Sequence, residues 1–244
     1  FDPRGDLLEE ARACESDVFL QWYGNTRSQL NEEYGEYEPA SVFLALADDE
    51  GDVLGVARLI SPSSRGLKTL VDLERPPWEL EGRRSAAAAG LDPTKTWDVG
   101  TLGIRSGLAG RGAHTAASLY HGLVLTARAN DVRSFVGILD DRLRRLLLSM
   151  GIVLNTLPGA GSGAYLGSPR STPIYAHFAA LLDHQRRVNP EAHRLVTLGA
   201  GLDLVTPDPR AFVLRPKVVD LTGLTESSAA LSDALTGSGP SESR

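Results

Sequence analysis

The stretch TWDVGTLGIRSGLAGRGAHTAASLYHGL, residues 96–123, limits this chain more than any other. An alternating, strand-like run ends in a turn that carries Gly107, Gly110 and Gly112 with Arg111 among them. A helical period then begins, with Ala116, Leu119, Tyr120, Leu123, Val124 and Ala127 on one face. A strand that passes into a helix through glycine presents free N–H groups at the helix start, where the helix dipole favours an anion. Gly110 and Gly112 remove side chains that would block a phosphate, and Arg111 adds a guanidinium fork. A plain glycine turn between strand and helix has the same punctuation. Known phosphate-binding strings narrow the reading. Gly-x-x-x-x-Gly-Lys-Ser/Thr does not occur, and Gly-x-Gly-x-x-Gly fails because Thr115 stands at the third glycine position. A coenzyme A pyrophosphate loop is the remaining device of this kind.

The rest of the chain supplies context for that turn. Residues 4–16 and 17–34 read as two helices, and SVFLALA and DVLGVARLIS around Asp48–Gly51 read as a hairpin. RRSAAAAG is a short helix stopped by Gly90, SFVGILD an inner strand, DRLRRLLLSMG a helix and IVLNTL a strand. The glycine-dense segment 158–171 reads as a loop. Pro173 and Pro190 sit where helices would open, over 172–187 and from 189. RAFVLRP is a last strand candidate. A hairpin feeding strand–helix–strand units predicts an α/β chain with a mixed sheet and helices on its faces. Residues 1–220 are read as a single domain and 221–244 as a Ser/Gly-rich C-terminal tail.

Charge and composition exclude several classes. The net charge is −6 and no dense basic run exists, so neither nucleic acid nor an anionic membrane is an expected partner. Cys14 is the single cysteine, which excludes an internal disulfide and a cysteine-rich zinc site. No apolar run reaches the roughly 18 residues of a membrane span, and the cytoplasm is the default location. His114 and His121 share a helix face but lack a third ligand, so no metal is expected. No Gly-x-Ser-x-Gly elbow marks a hydrolase nucleophile.

Two stretches carry a resemblance. VFLQWY, the acidic and aromatic EEYGEYEPA, and the hairpin ending in Gly55-Val56-Ala57-Arg58-Leu59 form the first; WDVGTLGI forms the second. Over roughly residues 15–155 the chain resembles the GNAT superfamily of N-acyltransferases, in the branch of acyl-homoserine-lactone synthases and N-acyl amino acid synthases. The resemblance implies a GNAT-like twisted mixed sheet with helices on both faces. It implies acyl transfer from acyl-CoA or acyl carrier protein to the amine of a small molecule, by direct attack on the thioester. The pantetheine arm would lie along the strand at Gly103 and Ile104, with a backbone oxyanion donor near Gly103 or Ile104. The diphosphate would rest on Gly110, Arg111, Gly112, Ala113 and His114. The sequence departs from the family at Asp98, where a glutamate is expected, and at Gly100 and Thr101, which replace Ser-Arg. The missing arginine argues against S-adenosylmethionine-dependent lactone synthesis. The family's helix tyrosine falls on Leu147.

Candidate roles follow, each beside a structural alternative. Asp98 is a base or amine-binding carboxylate, or a hydrogen-bonded strand residue. Arg58 is a catalytic cation or a structural ion pair. Trp22, Glu33, Tyr165, Arg170 and Tyr175 are candidate acceptor contacts, the last three from a loop that could close over substrate. Trp22 could equally pack, as aromatics usually do. Two alternatives to the transferase remain at this level: a non-catalytic acyl-CoA or small-ligand binding module on the same fold, and a true lactone synthase. The oligomeric state is not legible.

Overall fold

The computed structural model of the chain describes residues 6–108, 110–202 and 209–214. The tail expected over 221–244 lies outside the described residues, as does the end of the strand expected at 210–216; Pro209–Phe212 forms a short 3-10 turn. Helices α1 (Asp6–Tyr23) and α2 (Arg27–Tyr34) precede the hairpin β1 (Ser41–Ala47) and β2 (Val53–Ile60). Short helices α3 (Lys68–Asp72) and α4 (Gly82–Ala88) lead to β3 (Thr96–Ile104), α5 (Gly112–Ala129) and β4 (Ser134–Asp140). Then come α6 (Asp141–Ser149), β5 (Asn155–Thr156), β6 (Gly163–Tyr165), β7 (Ser168–His177), α7 (Phe178–Val188) and α8 (Pro190–Ala192).

The strands form one mixed sheet in the order β1-β2-β3-β4-β7-β5, with β6 also on β7. Among the described residues only β3 and β4 run parallel, and α5 is the crossover that such a pair requires. Helices cover both faces. Gly55 and its partner Ile104 face α5, where a Cβ on Gly55 would sit 2.8 Å from Leu119. Gly103 and Val56 face α1, where Ala11, Cys14, Phe43, Val53 and Val56 pack together. Among the described residues no helix is long and apolar enough to cross a membrane.

The first helical segment is one helix, not two broken at residue 16. The Ser16 hydroxyl bonds back to the Arg12 carbonyl instead of capping a new helix. The break comes at Gly24 (φ +74), and Thr26 with Gln29 forms the capping box that opens α2.

Residues 168–177 are a strand, where a loop and a helix start were expected. Pro173 is tolerated because of where its missing donor points. Phe178 N–H bonds to Arg133 O, and the register then puts residues 172, 174 and 176 in the hydrogen-bonded pairs with β4. Pro173 therefore turns its nitrogen away from β4, toward the end of the two-residue strand β5. The interior ladder keeps its bonds and the loss falls at an edge. IVLNTL contributes only those two strand residues.

Candidate active site

Three local features build an open channel through the sheet. The parallel ladder between β3 and β4 ends at Asp98 and Val136. The strands still touch at Gly137, where a Cβ would lie 3.0 Å from Val99 O, and they are unpaired beyond. Opposite Arg58 and Leu59, Gly100 is an extra residue in β3, a β-bulge. It bends the strand where it leaves β4, and the Tyr34 hydroxyl donates to the Gly100 carbonyl at 2.8 Å.

The side of β3 that faces away from β2 follows from the register. Arg105 N–H bonds to Leu54 O, so residues 105, 103 and 101 form the hydrogen-bonded pairs with β2. The N–H and C=O groups of Leu102 and Ile104 point the other way. Among the described residues no strand covers that edge past Asp98.

A cleft of about 920 Å³ occupies the gap. One wall is β3 from Val99 to Ile104, and the other holds Ile138, Leu139 and Asp140 of β4 with Arg142 and Leu143 of α6. Phe19, Trp22 and Tyr23 of α1 and the turn between β6 and β7 close the sides. The cleft runs on to Gly107, Gly110 and Gly112. In that turn Arg111 N–H bonds to Leu108 O, and Gly110 is held at φ +86, which favours glycine. The first helical bond of α5 runs from Thr115 N–H to Arg111 O, and no side chain caps the helix. The N–H groups of the first turn thus face outward at the head of an 18-residue helix.

Gly103, Ile104, Gly110 and Gly112 line the cleft; Arg111, Ala113 and His114 lie exposed beside its end. Trp22, Tyr165 and Arg170 are also on its walls. Trp22 stacks under Arg142, whose guanidinium carbon is 4.0 Å from the ring centroid. Arg170 pairs with Asp141 at 2.9 Å.

The remaining candidates sit behind the walls. Asp98 is buried and accepts from the Thr69 amide at 2.5 Å and the Thr69 hydroxyl at 2.9 Å, which ties α3 to β3. Burial pushes its carboxyl up to about 7 in spite of those two bonds. The bulge explains its position: three residues from Thr101, it still shares Thr101's face of the sheet. Arg58 is also buried, clamped to Glu15 by two bonds of 2.9 and 2.6 Å and to Glu38 at 2.5 Å, between the rings of Tyr34 and Phe43. Thr101 donates to the same Glu15. Glu33 joins a second buried network in which Lys68 Nζ contacts it, Asp72 at 2.6 Å and Tyr165 Oη at 2.7 Å. Tyr175 stays behind the cleft, edge-on to His177 with centroids 5.5 Å apart. Leu147 is a core residue. His121 is buried with Nδ1 3.0 Å from Val196 O.

Reading the sequence alone misses two cleft residues. Tyr23, at the end of α1, donates its hydroxyl to Asp140 Oδ2 at the end of β4. They are 117 residues apart, so no spacing rule connects them. The local signal at Asp140 is that of a helix cap: it stands just before the period DRLRRLLLS, and its Oδ1 accepts from the Arg142 and Leu143 amides at 2.7 and 2.9 Å.

A mixed sheet whose single parallel pair splays over a glycine-led crossover helix defines the GNAT-like fold. No family model matches the sequence, and no curated protein matches it either. Solved structures share the fold. One is a CoA-dependent acyl-homoserine lactone synthase, BjaI, with MTA: 17% identity, a TM-score of 0.52, covering 75% of this chain and 82% of that one. Another is FeeM, an N-acyl amino acid synthase from uncultured soil microbes: 13% identity, a TM-score of 0.55, covering 73% and 88%. BjaI with SAM and isopentyl-CoA matches at a TM-score of 0.50.

Proposed function

We propose that this chain is an N-acyltransferase that moves an acyl group from a pantetheine thioester, on coenzyme A or an acyl carrier protein, to the amine of a small molecule. The observation that carries this reading is the cleft itself. It joins the free edge of β3 to the open amides at the head of α5. In this reading the pantetheine arm lies along Gly103 and Ile104. The diphosphate, or the carrier's phosphate, meets Gly110, Arg111, Gly112, Ala113 and His114 through N–H groups, the helix dipole and the guanidinium. The Leu102 or Ile104 N–H receives the negative charge that grows on the carbonyl oxygen. Holding thioester and amine in one cleft supplies much of the rate. Amine and thioester become amide and free thiol with no covalent enzyme intermediate.

Val18, Phe19, Leu102, Leu108, Leu143 and Leu146 make much of the lining apolar. The volume is near the upper end of the roughly 300–1,000 Å³ usual for small-molecule sites, which favours an acyl chain longer than acetyl. That BjaI was solved with isopentyl-CoA on the same fold supports the class of donor. In this reading Tyr165, Arg170 and Trp22 meet the acceptor.

Isothermal calorimetry with coenzyme A and acyl-CoAs of graded length, followed by thiol release with a panel of amines, tests the proposal. Donor binding together with amine-dependent thiol release is the expected result. Donor binding without turnover for any amine would make the chain a binding module. Turnover only with S-adenosylmethionine would make it a lactone synthase.

A further inference from the structure

We infer that Tyr23 and Asp140 form the proton relay of this cleft: Tyr23 Oη takes the proton of the attacking amine and Asp140 receives the phenol's own. The inference rests on the acyl-transfer reading above and names the residues that would move the proton within it.

An amine that attacks a thioester must lose a proton, and a group in the cleft has to accept it. Among the described residues lining the cleft the carboxylates are Asp140 and Asp141. Asp141 is paired with Arg170 at 2.9 Å. The lining tyrosines are Tyr23, Tyr34 and Tyr165. Tyr34 gives its hydroxyl to the Gly100 carbonyl, which cannot take a proton. Tyr165 lies within hydrogen-bond reach of Asp72 and Lys68, so the carboxylate on its far side is already matched by an ammonium at 2.6 Å. Tyr23 alone of the three hands its hydroxyl to a carboxylate on the cleft wall.

The pair is held from both ends. Asp140 Oδ1 is fixed by the two amides of α6, which leaves Oδ2 for the phenol. The Tyr23 backbone is braced by the turn before β7. A Cβ on Gly167 would fall 2.2 Å from Tyr23 O, so only glycine permits that approach. The Tyr23 ring packs on Phe19 with centroids 5.5 Å apart. Charged groups around Asp140 are Arg142 and Asp141 on α6 and Arg170 on β7. Burial, with Asp140 adding to it, pushes the Tyr23 phenol up, so it stays protonated near neutrality and acts as a conduit.

The step balances. The amine nitrogen bonds to the thioester carbon as its proton passes to Tyr23 Oη and the phenol proton to Asp140 Oδ2. The C–S bond breaks with its electron pair on sulphur. The proton then returns through the same hydroxyl to the thiolate, giving amide, free thiol and the original pair.

Tyr23→Phe keeps the ring against Phe19, and Asp140→Asn keeps an acceptor for the α6 amides. Each should lower kcat for thiol release by ~100-fold or more, with donor affinity and melting temperature close to wild type. A proton inventory on the wild-type protein in mixed light and heavy water should bow, as two protons in flight require. Variants that keep kcat within about threefold would overturn the relay while leaving acyl transfer standing. A linear inventory would overturn it even if both variants misfold. No thiol release from wild type with any amine would remove the underlying reading instead.

Discussion

Replacing Arg58 by Met tests how the interior of this fold balances its charge. The guanidinium makes two bonds to Glu15 at 2.9 and 2.6 Å and one to Glu38 at 2.5 Å, and its carbon lies 4.6 and 4.4 Å from the Tyr34 and Phe43 ring centroids. Methionine keeps the apolar stem but strips the cation from Glu15, which is 2% exposed. Glu38 retains Arg12, whereas Glu15 is left with the Thr101 hydroxyl. A buried carboxylate without its cation costs about 3–5 kcal/mol, against about 1 kcal/mol or less for an ion pair on the surface. Urea unfolding followed by circular dichroism and tryptophan fluorescence should therefore report a loss of about 3–5 kcal/mol for Arg58→Met. Adding Glu15→Gln should recover most of it, because the stranded charge is gone. A loss of about 1 kcal/mol or less, or a double variant no more stable than Arg58→Met, would refute the reasoning.

Other outcomes follow from single contacts. The Asp98 carboxyl sits at about 7 in the folded chain, above the ~3.9 of an exposed aspartate, so its share of stability is present below about pH 4 and lost as pH rises through 7. Unfolding midpoints of Asp98→Asn and wild type should diverge in the variant's favour from pH 4 to 8; a constant difference would contradict the buried-acid assignment. Gly112→Asp places a carboxylate in the first turn of α5, where a Cβ clears Ile104 by 3.5 Å. It should leave the melting temperature unchanged or raise it, by at most ~1 kcal/mol in stability, yet weaken coenzyme A binding about tenfold or more in calorimetry. Gly167→Ala, at φ +80 and 2.2 Å from Tyr23 O, should cost more than ~1 kcal/mol and lower activity. Gly90→Ala, at φ +67 with open space around it, should cost less and spare activity, by thermal melts and thiol release.

What the sequence discloses depends on how local the cause is. The hairpin at 41–60 is legible because alternation and the turn at Asp48–Gly51 are adjacent. The passage from β3 to α5 is legible because the apolar period changes from two to 3.6 across glycines. Segment 168–177 is not, because two prolines and a run of glycines hide a strand whose interior ladder happens to need no donor from Pro173. The candidate site divides the same way. The glycine-turn residues and Ile104 come from one contiguous stretch, and they reach the cleft together. Asp98 and Arg58 belong to the same local pattern, yet their surroundings come from α1, α2 and α3, so burial among distant partners could not be read from spacing. Tyr23 and Asp140 meet only once the sheet has formed.

The extra residue at position 100 shapes the cleft and leaves the facing of its neighbours unchanged. Val99 and Thr101 already pair with the consecutive residues Leu59 and Arg58, so deleting Gly100 would join them in regular alternation. Trp97, Asp98 and Thr101 would keep their present faces, while the bend that carries β3 away from β4 and the carbonyl that holds the Tyr34 hydroxyl would be lost. A one-codon deletion at this point should therefore leave the folded core standing and narrow the cleft.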